Sequence, residues 1–223
     1  MPKTINGFVY IVESPSPEDL LHSRTEGRVL SEALDLAGIK RFYNLAANEE
    51  MFKKAIWDRL VERWKTVPHL SPIIHISMHG NEDGIQFTDG RFMEWARLRG
   101  ALKHLTEALE GGLLICMSSC FGASGCRMAM HSDADHPFWA LVGHDGSASW
   151  TDAAVGYVTF YHLFFKGAPL KKCVDAMRTA SGDSGFMSFQ GRHVKKDWAN
   201  WKKSAEYRES LVAAIRQRQQ AAK

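Results

Sequence analysis

Two side chains in this sequence, Cys120 and His79, stand where thiol chemistry can be done. Cys120 lies in the stretch Gly111 to Gly125, whose first half, Leu113 to Met117, is a short continuous apolar run. Such a run bounded by turn residues reads as a strand buried on both faces. The second half is small, polar and glycine-rich, so the chain can turn sharply and let another molecule approach its backbone. A second stretch repeats the layout: Ile73 to Met78, then His79-Gly80 and a polar loop, Asn81 to Gly84. In an open parallel sheet the carboxyl ends of the strands are where ligands bind. A thiolate nucleophile needs access, a proton carrier and donors for the charge that grows on the substrate oxygen. Cys120 has the access, and an imidazole, with its ordinary pKa of about 6.5, can carry the proton. His79 does so if its strand lies beside that of Cys120. The backbone N–H groups of Gly80 and Cys120 then face one cleft as an oxyanion hole.

Taken singly, a histidine or cysteine at a strand end is more often structural, and His75, His104, His131 and His144 are alternative partners. Joint placement is what distinguishes His79 and Cys120. Other chemistries fit less well. Cys116, Cys120 and Cys126 lack the second downstream pair of a zinc site, and Cys116 falls inside the buried run, so no metal and no cofactor is expected. A phosphatase loop needs five residues between cysteine and arginine, whereas six, Phe121 through Cys126, separate Cys120 from Arg127. The Gly-x-Ser-x-Gly elbow is absent around Ser118 and Ser119. No P-loop lysine accompanies the glycines.

Composition narrows the classes further. The 223 residues suit one large domain, and 45% apolar with 24% charged residues is ordinary for a globular protein with a full core. A net charge of +3 is too mild to argue for nucleic acid. No apolar run approaches a membrane span, and the amino terminus lacks a signal-peptide core. Four cysteines in a chain of this length do not make a disulfide scaffold, so free thiols in a reducing cytoplasm are expected.

The positioning elements follow from periodicity. Gly7 to Glu13 reads as a first strand, followed by a loop and a helix start at Glu18 and Asp19. Leu30, Leu34 and Ala37 mark a helix ending at Gly38, and Ile39 to Leu45 a second strand. Phe52, Ile56, Leu60 and Trp64 step by four as one buried helical stripe. After His79 comes a hairpin, Ile85 to Thr88 and Arg91 to Met93 about Asp89-Gly90. A helix from Trp95 to Glu110 leads into the Cys120 strand. Then come a strand at Trp139 to Val142, helices at Asp152 to Lys166 and Leu170 to Ser181, and an edge strand at Phe186 to Phe189. The tail from Asp197 reads as one amphipathic helix, Trp198 to Ile215, docked on the body with its basic face in solvent. The alternation of strand and helix points to a mostly parallel sheet covered on both faces.

The blocks Ile73 to Gly80 and Leu113 to Gly122 resemble the caspase-like cysteine peptidases, which include caspases, legumains, gingipains, clostripain, separases and the CHAT domains. The order, histidine then cysteine, agrees, and their separation is close to the roughly 50 residues of caspases. Leu141-Val142-Gly143, Trp150, Asp152-Ala153-Ala154, Phe160-Tyr161, Leu163 and Gly167 look closest to the CHAT pattern. The caspase form Gln-Ala-Cys-x-Gly is replaced by Ser118-Ser119-Cys120-Phe121-Gly122, which leaves caspase-type aspartate specificity in question.

The resemblance implies a caspase-like three-layer α/β/α sandwich over residues 1–192, with residues 193–223 as the basic carboxyl-terminal helix packed on it. It implies a regulated cysteine endopeptidase acting on a protein or peptide, with Cys120 attacking the carbonyl and His79 protonating the leaving amine. Gly80 N–H would help bind the oxyanion. A regulatory protein partner is compatible with it, and no membrane or nucleic-acid partner is expected. The alternative is a catalytically silent signalling or scaffold module working through protein contacts. For specificity, the loop His144 to Asp152 should flank Cys120, and Asp145 or Asp152 there would favour cleavage after Arg or Lys. Asp152 could equally cap the helix it precedes, and Arg24 could instead receive an acidic side chain. The polar loop His131 to Pro137 is a candidate for regulatory cleavage.

Overall fold

The computed structural model describes residues 5–131 and 136–221. The centre of the expected cleavage loop, residues 132–135, lies outside the described residues. Strands β1 (Gly7–Ser14), β2 (Arg41–Leu45) and β3 (Ser71–Asn81) precede a hairpin, β4 (Gly84–Gln86) and β5 (Phe92–Glu94). Strands β6 (Leu114–Ser118), β7 (Ala140–His144) and β8 (Phe186–Gln190) follow. The sheet runs β2-β1-β3-β6-β7-β8, with β8 alone antiparallel to its neighbour along this path.

Two helical layers cover it, each selected by strand parity, since alternate side chains point to opposite faces. On one face Tyr10, Ile74, Ile76, Ile115 and Met117 meet Phe52, Ile56 and Leu60. Those three lie on a continuous helical run of α3 (Glu49–Lys54), a π turn (Ala55–Arg59) and α4 (Leu60–Lys65), with α5 (Trp95–Ala108) beside it. All three are fully buried, each contributing about 1.5–3 kcal/mol. On the opposite face Val9, Ile11, Ile73, Cys116 and Val142 meet α2 (Glu26–Leu36), α6 (Trp150–Phe165) and α7 (Leu170–Ser181). The short α1 (Pro17–Leu21) follows β1 directly at the carboxyl end of the sheet. The expected three-layer sandwich and mostly parallel sheet are therefore present.

Local readings differ in two places. His79, Gly80 and Asn81 do not leave the sheet but extend β3, pairing with Gln86, Ile85 and Gly84 of β4. The expected polar loop is thus a tight turn at Glu82 and Asp83, where the Asp83 N–H donates to Asn81 Oδ1 at 2.8 Å. The tail is two helices, α8 (Gly191–Lys202) and α9 (Ala205–Ala221), and the expected boundary at 192/193 falls inside α8. Ser204 interrupts the tail because its hydroxyl accepts from the Tyr207 N–H at 3.4 Å, a capping role. Val194 and Trp198 of α8 line a groove on the body with Cys126, Met130 and Phe189. Leu211, Val212 and Ile215 of α9 are about half exposed, so their side chains stay largely in water.

Candidate active site

His79 and Cys120 come from neighbouring parallel strands, β3 and β6, whose register runs up to Ser77 opposite Ser118. Beyond Ser118 the chain turns abruptly. Phe121 holds the left-handed conformation (φ 54°, ψ 24°), costly for a residue with a side chain. The surroundings hold it there: the Phe121 N–H donates to Gly146 O at 2.7 Å and the Gly122 N–H to Ser119 O at 3.0 Å. A 3-10 helix, Gly122–Ala129, starts at once. Two glycines make the turn possible. A Cβ on Gly122 would lie 2.5 Å from Met117 O, and one on Gly143 of β7 would lie 2.6 Å from Ala123 N.

Gly80 is also in tight quarters. A Cβ there would stand 3.1 Å from Cys120 O and 2.8 Å from Gly84 O, so the His79-Gly80 backbone lies directly against that of Cys120. Met78, His79, Ser118, Ser119, Cys120, Ala148, Trp150 and Ala153 line one cavity of ≈ 60 Å³. His79 and Cys120 are thus brought together in one cleft, as their types and spacing led one to expect.

The imidazole of His79 is held by a residue that sequence reasoning assigned only to a helix start. His79 Nε2 lies 2.6 Å from Asp19 Oδ2. Asp19 sits in the first turn of α1, where the Ser16 hydroxyl accepts from the Asp19 N–H (3.1 Å) and donates to its carboxylate (2.6 Å). This is a capping box, Ser-x-x-Asp, and that pattern directly after a strand was the available signal. Burial alone would push the Asp19 carboxyl up, but the hydrogen bonds from Ser16 and His79 outweigh it and hold the group below the usual carboxylate range. Trp150, at the start of α6, stands edge-on to the His79 ring with centroids 5.2 Å apart. With Nε2 engaged by Asp19, Nδ1 is the nitrogen left for a reacting group.

The other histidines have structural settings. His75 is fully buried, with Nδ1 3.1 Å from the Tyr161 hydroxyl and Nε2 3.6 Å from Glu26 Oε2. His104 packs edge-on to Trp57. His144 Nδ1 accepts from the Gly146 N–H at 3.0 Å. Its Nε2 lies 2.9 Å from Asp183 Oδ1, at the distance of an ion pair but off the direction of a good hydrogen bond.

The residues expected to set specificity lie elsewhere. Asp152 shares a 2.6 Å hydrogen bond with Ser149 Oγ, and its N–H donates to the same hydroxyl, so it completes the cap of α6. Asp145 is more than half exposed beside His144. Neither lines the cavity. Arg24 is taken up by Asp19 at 3.2 Å and Glu18 at 3.7 Å. Among the described residues no cluster of three or more His, Cys, Asp or Glu is arranged to hold a metal. None of the described helices is long and apolar enough to cross a membrane.

The remaining thiols are poor nucleophiles because burial disfavours their thiolates. Cys116 is pushed up to about 12 and Cys173 to about 11. Cys126 is also raised.

No known family profile matches the chain, and neither does any curated protein. Solved structures do. One is the X-ray structure of an inactive zymogen C11 protease from Parabacteroides distasonis, with a TM-score of 0.57 and 13% sequence identity. The match covers 88% of this chain but 65% of that one, so this chain spans a little under two thirds of the protease's length. At that identity the likeness shows the fold alone, an α/β/α sandwich like that of the protease. It lends no support to the narrower CHAT pattern.

Proposed function

We propose that this chain is a cysteine endopeptidase in which Cys120 is the nucleophile, His79 the acid and base, and Asp19 the residue that orients His79. The carrying observation is the single cleft that joins His79 and Cys120, with Asp19 fixed on the far nitrogen of the imidazole. In this reading His79 Nδ1 takes the proton of the Cys120 thiol. The sulfur attacks the peptide carbonyl carbon, and the carbonyl π pair moves onto oxygen. The backbone N–H groups of Gly80 and Cys120 donate to that oxyanion, a contribution worth several kcal/mol in comparable sites. As the oxyanion collapses, the C–N bond breaks and His79 returns its proton to the leaving amine. Water then hydrolyses the thioester with His79 as base. Asp19 stays ionised throughout and fixes the tautomer, as the third member of a triad does.

The likeness to a C11 protease agrees with this chemistry, and a protein or peptide substrate is part of the same proposal. Regulation of the enzyme, by a partner or by cleavage, belongs to the same proposal. A preference for cleavage after Arg or Lys has less behind it. It requires an acid within the cleft, and among the described residues Asp145 and Asp152 both stand outside it. Incubating the purified chain with a peptide library tests the proposal: cleavage that Cys120→Ala and His79→Ala each abolish is expected. Cleavage that survives Cys120→Ala would refute it.

A further inference from the structure

The structure assigns His144 as a positioning residue for Cys120: its Nδ1 fixes Gly146, whose carbonyl holds the turn that presents the nucleophile. This role rests on the peptidase reading of Cys120 and His79 and adds a residue to it. Phe121, next to Cys120, is in the left-handed conformation and needs a hold from its surroundings. Two hydrogen bonds there are local, from the Gly122 N–H to Ser119 O and from the Ser124 N–H to Phe121 O. They give the turn its shape. The Phe121 N–H instead donates to Gly146 O, at 2.7 Å, in the loop that follows β7. That bond fixes where the turn sits relative to the sheet.

Gly146 is held in turn by His144, the last residue of β7, whose Nδ1 accepts from the Gly146 N–H at 3.0 Å. A ring nitrogen that accepts carries a lone pair, so the proton of the imidazole is on Nε2, 2.9 Å from Asp183 Oδ1. The ring has little room to swing away. It is buried, stands edge-on to Phe186 with centroids 5.1 Å apart, and a Cβ on Gly185 would collide with its Nε2. Asp183 is itself fixed, since its Oδ1 accepts from the Gly185 N–H at 2.8 Å. Contacts therefore run without a break from Asp183 through His144, Gly146 and Phe121 to the nucleophile.

The far end of the same loop is anchored separately, because the Ser149 hydroxyl accepts from the Asp152 N–H and caps α6. Ala148 and Trp150, which line the cavity, flank that anchor. Release of Gly146 would thus displace Cys120 rather than the cavity wall, and should lower kcat more than it raises KM. Two isosteres separate the contacts of His144. A side-chain acceptor for the N–H two residues on is what asparagine supplies in turns, so His144→Asn keeps the bond to Gly146 and gives up the reach to Asp183. His144→Gln does the reverse, with a polar group at the distance of Nε2 and none at that of Nδ1.

Steady-state hydrolysis of a peptide that the full chain cleaves, thermal melts, and amide exchange of Phe121 followed by NMR compare the two variants with wild type. Both variants should melt lower, since each loses a buried contact. His144→Gln should lose at least ~10-fold in kcat with a smaller change in KM. Its Phe121 amide should exchange several-fold faster. His144→Asn should keep kcat within ~3-fold of wild type and keep that amide protected. A folded His144→Gln protein with wild-type kcat and exchange would overturn the role. So would a folded His144→Asn protein as impaired as the glutamine variant, because the loss would then follow the Asp183 contact. If His144→Gln does not fold, His144→Asn decides: a retained rate and a protected amide support the role, and their loss in a folded protein refutes it. A wild-type chain that cleaves no peptide would sink the peptidase reading by itself, while the exchange comparison still tests the hold of His144 on the Cys120 turn.

Discussion

Replacing Asp19 with asparagine tests whether the His79 contact is catalytic positioning or packing. The substitution keeps the shape of the side chain and removes its charge. His79 Nε2 and Asp19 Oδ2 are 2.6 Å apart; the Asp19 side chain is 6% exposed and the His79 ring 38%, so the bond to the ionised carboxylate is charge-assisted and shielded on the Asp19 side. Hydrogen bonds to charged groups contribute about 1.5–3 kcal/mol. At about 1.36 kcal/mol for each tenfold change in rate, kcat/KM should fall about 10- to 150-fold. The loss should sit in kcat with KM little changed, because Asp19 touches His79 and not the substrate. Ser16→Ala is the control, since it removes the helix cap but keeps the carboxylate. It should cost about 0.5–2 kcal/mol of stability and far less activity. Because the Asp19 carboxyl is held below its ordinary value, it stays ionised at pH 5. An acid limb of the wild-type pH–rate profile near that pH therefore belongs to another group. Steady-state kinetics on a cleaved fluorogenic peptide, paired with thermal melts, read all of this. An Asp19→Asn protein with near wild-type kcat and an unchanged pH profile would refute the positioning role.

Other outcomes are equally direct. At neutral pH, iodoacetamide should modify Cys120 in the folded protein but reach Cys116 and Cys173 only after unfolding, because burial raises both thiols to about 12 and about 11; rapid native modification of Cys116 would contradict the packing. Gly143→Ala should lower both stability and activity, since its Cβ would sit 2.6 Å from Gly122 C and Ala123 N in the turn that carries Cys120; an unaffected melt and rate would contradict that turn. Asp183 is held low, first by its close contact with His144 (2.9 Å) and then by the Gly185 N–H, so its contribution is present above the unfolded carboxylate value of about 3.9 and lost as pH falls through the folded one. Asp183→Asn should accordingly flatten the acid side of the stability–pH curve measured by denaturant titration. Charge reversal at Lys202 and Lys203, or removal of residues 205–223, should leave hydrolysis of a short peptide unchanged, since the apolar side chains of α9 are about half exposed; loss of activity would tie the tail to the site.

Much of this protein was legible locally. Apolar runs ending in His79-Gly80 and in Ser119-Cys120-Phe121-Gly122 marked two strand ends, because burial on both faces leaves a continuous apolar signature in a short window. The four-residue step of Phe52, Ile56 and Leu60, and the Asp89-Gly90 turn, were equally local. The adjacency of the His79 and Cys120 strands was a condition that the path between them allowed, since neighbours in sequence tend to be neighbours in the sheet, and the pairing of β3 with β6 meets it. What the chain in one dimension did not specify was the third member of the site. Asp19 lies far from His79 in sequence, and its helix-start pattern says nothing about which strand end it will face. Only the order β1-β3-β6 sets α1 beside the end of β3. Tertiary structure likewise decided which carboxylates face the cleft. Asp145 and Asp152 follow the correct strand, but Ser149 draws Asp152 into the cap of α6 and Asp145 stands in solvent. Strand ends are written in hydrophobic periodicity, whereas the direction of a polar side chain in a loop is set by whichever partner the folded chain brings within about 3 Å.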